Sequence, residues 1–198
     1  MAELVLFHHA QGLTAGCLAF AGELRAAGHV VHAPDLYDGK TFATLAEGIS
    51  YAEQVGFETI VERGRRAVDG LPNALVYAGF SLGVLPAQML AQTRPGARGA
   101  LLFHACVPPS AFGGPWPAGV PVQIHMMDAD ELAVREGDLD AARQLAEAVE
   151  SAELFLYPGD RHLFADKSLP DYDEHAATLL GQRVLGFLET IAYAISSE

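Results

Sequence analysis

Residues 74–93 read ALVYAGFSLGVLPAQMLAQT. A short apolar run from Ala74 to Ala78 passes through Gly79-Phe80-Ser81-Leu82-Gly83 into a stretch from Leu82 to Thr93 with helical spacing. The first part has the length and apolar character of a strand buried on both faces, and the second is long enough for a helix. A G-x-S-x-G sequence between the two predicts a sharp strand-to-helix turn. Such a turn forces its central serine into a strained conformation, and the glycines two residues to either side remove side chains that would clash. Pro86 falls in the first turn or so of the helix, where a missing N–H is tolerated.

The same alternation extends outward from this segment. Apolar runs at about 3–9, 29–33, 99–105, 121–127 and 152–157 bring the working count to six strands. Between them lie stretches of helical spacing, such as Leu139, Ala142, Leu145, Val149 and Ala177, Leu180, Val184, Phe187, Ile191. A β-α-β order predicts the α/β class, with a mostly parallel sheet, helices on both faces and reactive loops at the carboxyl ends of the strands. Val107 to Gly119 breaks the pattern with four prolines and three glycines. It reads as an irregular crossover, either at a pocket mouth that Phe112 and Trp116 would line, or as a plain surface loop.

Composition narrows the classes. Residues 1–198 read as a single domain, because no flexible linker or charge block divides the chain. Twenty-five acidic against twelve basic residues give a net charge of −13, which would repel nucleic acid, so the expected partner is a small molecule. The apolar runs are of strand length, which argues against a membrane span, and the N-terminus lacks signal-peptide features; a cytoplasmic location is the expectation. Cys17 and Cys106 are too few for a disulfide framework and stand in no metal-binding spacing. A homodimer is compatible with all of this.

A serine hydroxyl is a weak nucleophile at neutral pH and needs a base within hydrogen-bond reach, itself oriented by a carboxylate. After this kind of turn the partners follow in the order acid, then histidine. Asp128, Asp130 and Glu131 follow the fifth apolar run. Asp130 is taken as the acid with Asp128 as the alternative, since position alone does not separate two residues on one loop, and Glu131 reads as solvated. His162 follows the sixth run and reads as the base, whereas His175 belongs to the final helix and is expected to be exposed. Two N–H donors for a developing oxyanion are expected from the Leu82 amide and from Ala10, in the loop after the first strand.

Together these residues point to cleavage of an ester or lactone through an acyl-enzyme, without cofactor or metal. His8, His9, His104 and His125 also lie near strand ends, but none forms a His-x-x-x-His or His-x-His pair, so they read as pocket or structural residues. His9, Tyr37, Phe112 and Trp116 are the expected pocket lining. Two other readings use the same features: a non-catalytic binding protein on this fold, and a transferase or thioesterase using the same triad.

Five landmarks in order give the chain a family resemblance. Ala10-Gln11-Gly12-Leu13, the segment from Gly28 to Tyr37 containing His-Ala-Pro-Asp, the turn around Ser81, His125-x-x-x-x-Asp130 and Tyr157-Pro-Gly-Asp-Arg-His162-Leu-Phe resemble the dienelactone hydrolase family over nearly the whole chain. The resemblance implies a compact α/β-hydrolase fold with sheet order 2-1-3-4-5-6, and it favours Asp130 over Asp128. It also implies departures. Ser81 stands where the dienelactone enzyme has a cysteine, as in general esterases; His9 replaces a glutamate that tunes that thiol; and the crossover at 107–119 is short, which implies a more open pocket.

Overall fold

The computed structural model describes residues 1–196, with side chains through residue 194, so the last two residues of the single-domain reading lie outside it. Six strands form one sheet: β1 (Glu3–Phe7), β2 (Val30–His32), β3 (Val76–Phe80), β4 (Gly99–Phe103), β5 (Val122–Met127) and β6 (Ala152–Tyr157). All neighbours pair in parallel in the order β2-β1-β3-β4-β5-β6, as expected. The helices are α1 (Ala15–Ala26), α2 (Leu45–Val55), α3 (Phe57–Ala67), α4 (Val84–Thr93), α5 (Glu131–Glu136), α6 (Asp138–Ala148) and α7 (Glu174–Ser196). None among the described residues is long and apolar enough to cross a membrane.

Every residue of β3, β4 and β5 is buried, and successive side chains go to opposite faces. Val5, Phe7, Tyr77, Leu102 and Ile124 join one core with residues of α2, α3, α4 and α6. Leu4, Leu6, Ala78, Phe80 and Phe103 join the other, under α1 and α7, to which α7 contributes Leu180, Val184, Leu188 and Ile191. The chain steps from β1 outward to β2 and then returns to place β3 on the other side of β1. That reversal opens a crevice beyond the carboxyl ends of β1 and β3, where open α/β sheets bind ligands.

The crossover at 107–119 is irregular, with a short 3-10 turn at Pro109–Phe112. Two glutamines of α4 fix it: Gln88 Nε2 donates to Val107 O (2.7 Å), and Gln92 Nε2 to Pro109 O (2.9 Å).

The serine turn itself is crowded. A Cβ at Gly79 would strike the Gly83 carbonyl, and one at Gly83 would lie 2.5 Å from Phe7 O and 2.7 Å from His8 O. The start of α4 therefore presses on the end of β1 with no room for a methyl group. Gly83→Ala is expected to cost about 2 kcal/mol or more through overpacking. In a chain of this size that lowers the unfolding midpoint by about 5 °C, read by thermal unfolding.

Candidate active site

Ser81 directly follows β3 at φ +47°, in the left-handed region that non-glycine residues seldom adopt. This conformation is the strained turn expected from the glycine spacing. His162 follows β6 and is buried, and its Nε2 lies 2.8 Å from Ser81 Oγ. Its Nδ1 lies 2.6 Å from Asp130 Oδ2. With Nδ1–H donated to the carboxylate, Nε2 is the acceptor facing the hydroxyl.

Asp130 divides its two oxygens between two tasks. While Oδ2 holds the imidazole, Oδ1 caps α5 by accepting the amides of Leu132 (3.0 Å) and Ala133 (3.2 Å). The carboxylate is thus fixed from both ends, and 98% of its residue surface is withdrawn from water, at 2% relative exposure. Asp128 is exposed and instead accepts the Gly159 amide (3.1 Å), shaping the loop that leads to His162. Glu131 and His175 are exposed.

Ser81 and His162 open onto a cavity of about 480 Å³ that Ala10 and Leu82 also line. Ala10 is held from two sides. Gln11 Nε2 donates to Phe42 O (3.1 Å), and Gly48 of α2 packs so closely on the Ala10 carbonyl that any Cβ there would collide with it. Glu53, Asp138 and the apolar Ile49, Phe57, Leu85 and Leu132 complete much of the wall. Burial pushes the Asp138 carboxyl up to about 6 despite the Cys106 amide that it accepts at 3.1 Å.

Four residues expected to line the pocket lie elsewhere. Tyr37 is fully buried in the core, edge-on to His8 and Tyr51. Trp116 is also in the core, because its indole N–H finds an acceptor in Val120 O (2.7 Å) on its own connection. Phe112 lies along a neighbouring shallow groove with Val61 and Met89. His9 faces away from the cavity to Asp166, at 2.8 Å.

The other three histidines near strand ends, His8, His104 and His125, are buried and none lines the cavity. His8 donates Nδ1–H to His9 O (2.8 Å) and accepts the Leu36 amide at Nε2 (2.9 Å), and burial lowers its pKa to about 4. His125 lies between Tyr157 and Gln123, and burial lowers its pKa to about 3. His104 sits behind His162 with its rings 4.7 Å from Phe164 and 5.7 Å from Phe80, and complete burial holds it well below the histidine range.

Asp166, which sequence reasoning did not single out, is the hub of a buried network. Its carboxylate accepts from His9, Thr14 and both the amide and hydroxyl of Ser168, with Cys17 Sγ at 3.8 Å. Donor atoms of His9, Cys17 and Asp166 lie within 4.8 Å of one another, a grouping that resembles a metal site. The Gln11 amide, however, points at His9 Nδ1 (3.2 Å), which leaves the ring proton on Nε2, toward Asp166. Burial lowers the His9 pKa, but Asp166 and Cys17 outweigh it and raise the ring's proton affinity; the Gln11 amide opposes a second proton, so the neutral Nε2–H form satisfies both neighbours. The grouping is a hydrogen-bonded clamp between the loop bearing His162 and the loop bearing Ala10.

Burial raises the Asp166 pKa, but the hydrogen bonds from His9, Ser168 and Thr14 outweigh it and hold the carboxyl well below the usual range. A folded pKa below the unfolded one means that the folded chain binds fewer protons. The stabilisation is therefore complete above about pH 4 and is lost as pH falls toward the folded value. Asp166→Asn is expected to cost about 2–3 kcal/mol near pH 7 and to weaken the acid-side loss of stability, read by urea unfolding at about pH 7 and about pH 3.

The family model of the dienelactone hydrolase family matches residues 2–192. No curated protein matches the chain. Among solved structures, the chain is similar to a dienelactone hydrolase-like promiscuous phosphotriesterase from metagenomic libraries, at 19% identity and TM-score 0.75, covering 96% of this chain and 87% of that one. It is similar to a dienelactone hydrolase from Anabaena variabilis, at 20% identity and TM-score 0.64, covering 93% and 84%. A thermophilic esterase from the planctomycete Thermogutta terrifontis matches at 17% identity and TM-score 0.68, covering 96% and 83%. At these identities the structures speak to the fold.

Proposed function

The chain belongs to the dienelactone hydrolase family, and on that premise we propose that it cleaves a small carboxylic ester or lactone through an acyl-enzyme on Ser81. Family and fold make it a hydrolase of the α/β-hydrolase type. The observation that carries the finer reading is one unbroken chain of hydrogen bonds, Ser81 Oγ to His162 Nε2 (2.8 Å) and His162 Nδ1 to Asp130 Oδ2 (2.6 Å), opening on a cavity.

Ser81 Oγ attacks the substrate carbonyl as its proton passes to His162 Nε2. The imidazolium so formed is stabilised by Asp130, which stays ionised throughout. Negative charge gathers on the former carbonyl oxygen, for which the Ala10 and Leu82 amides are the assigned donors. The intermediate collapses to the acyl-serine, and His162 returns its proton to the departing alkoxide. For a lactone the alcohol stays tethered to the acyl group. Water, activated by His162, then attacks the acyl-serine and releases the acid.

A fluorophosphonate label tests this directly. An activated Ser81 is expected to react stoichiometrically, located by mass spectrometry of the peptide around residue 81. A turn serine in a binding protein would stay unlabelled, and that result would overturn the enzyme reading.

A further inference from the structure

The cavity wall carries its own charge pattern. Its ionisable groups besides His162 are Glu53 on α2, Arg135 and Glu136 on α5, and Asp138 at the start of α6. Arg135 Nε already donates to Glu136 Oε1 at 3.0 Å, so the single lysine or arginine among the lining residues comes with its counter-charge. Glu53 and Asp138 are left as the net charge of the wall.

Asp138 is the better placed of the two. Its residue is half-buried, it lines the same cavity as His162 and Ser81, and its Oδ1 accepts the Cys106 amide. Among the described residues, no cation pairs with it. The surrounding surface is largely apolar, so charges across it are poorly screened. The net charge of −13 acts in the same direction at longer range.

We propose that this cleft accepts esters whose variable end is uncharged or cationic and turns away those ending in a carboxylate, with Asp138 as the residue that sets the preference. The proposal rests on the hydrolase reading above and names its substrate class. A carboxylate entering the cleft meets no unpaired arginine or lysine among the lining residues and faces Asp138 at close range. A quaternary ammonium meets the opposite field and gains from it.

The test uses three matched nitrophenyl esters whose acyl chains end in tert-butyl, trimethylammonium or carboxylate groups, assayed at about pH 8, where Asp138 is ionised. The carboxylate ester is expected to show a kcat/KM about 30-fold or more below the tert-butyl ester, with the ammonium ester at least equal to the latter. Asp138→Asn keeps an acceptor for Cys106 and is expected to narrow the gap about five-fold, and added salt should narrow it too. Glu53→Gln, at the exposed rim, supplies a second reading with a smaller change in the same direction. Equal rates for all three esters, or a gap unmoved by Asp138→Asn whatever Glu53→Gln does, would overturn the proposal. Calorimetric binding of the intact esters to Ser81→Ala protein reads the same order without turnover. Failure of catalysis is thereby separated from failure of charge selection.

Discussion

Replacement of Ser81 by alanine is expected to lower kcat toward a small activated ester by about 10⁴- to 10⁶-fold with little change in the unfolding midpoint. The size of the loss follows from the chemistry: without Oγ no acyl-serine forms, and what remains is binding plus whatever the backbone amides contribute to direct attack by water. The fold is expected to survive because alanine adopts the left-handed conformation at φ +47° about as readily as serine does. The crowding at Gly79 and Gly83 is untouched. Steady-state assay beside a thermal melt checks both halves, and turnover retained in a folded variant would remove Ser81 from the mechanism.

Asp130→Asn is expected to cost about 10⁴-fold in kcat. Asparagine preserves the shape and leaves an oxygen to cap α5, so the helix start should hold. Its amide, however, cannot accept the Nδ1–H as the carboxylate does, and it favours the tautomer that carries the proton on Nε2, facing the hydroxyl that it should deprotonate. Loss of the anion also leaves the imidazolium uncompensated in a buried setting. Asp128→Asn is the control. That side chain is exposed and holds the Gly159 amide, so its effect should stay within a few-fold. A large loss at residue 128 with little at residue 130 would reverse the assignment.

Much of the fold is legible in the sequence because parallel strands covered on both faces leave uninterrupted apolar runs. The run read from Ala74 to Ala78 overlaps the strand Val76–Phe80, displaced by two residues, and that at 152–157 coincides with the observed strand. The short edge strand read at 29–33 is Val30–His32. The serine turn is legible for a different reason: neighbouring main chain leaves no room for a Cβ at positions 79 and 83, and that steric demand is visible as spelling.

Carboxylates are harder, since a letter does not record burial. Asp128 and Asp130 differ in direction rather than type, and only the turn into α5 sends one inward and the other out. Asp166 reads like any polar loop residue until Thr14 and His9, more than 150 residues earlier, close around it. Asp138 is likewise indistinguishable from Asp140 two positions on, which is exposed. Tyr37 and Trp116 misled in the opposite sense. An aromatic side chain on a loop suggests a pocket wall, yet each has a polar tip that finds an acceptor inside the core.

The clamp centred on Asp166 bears on how this chain tolerates changes of length. Four positions separate the imidazole from the carboxylate that grips the opposite loop, so losing or gaining a single residue between them would misplace both anchors together. Insertions and deletions compatible with turnover should therefore concentrate in segments such as 107–119, whose glutamine ties engage main-chain carbonyls and are indifferent to the side chains that pass by.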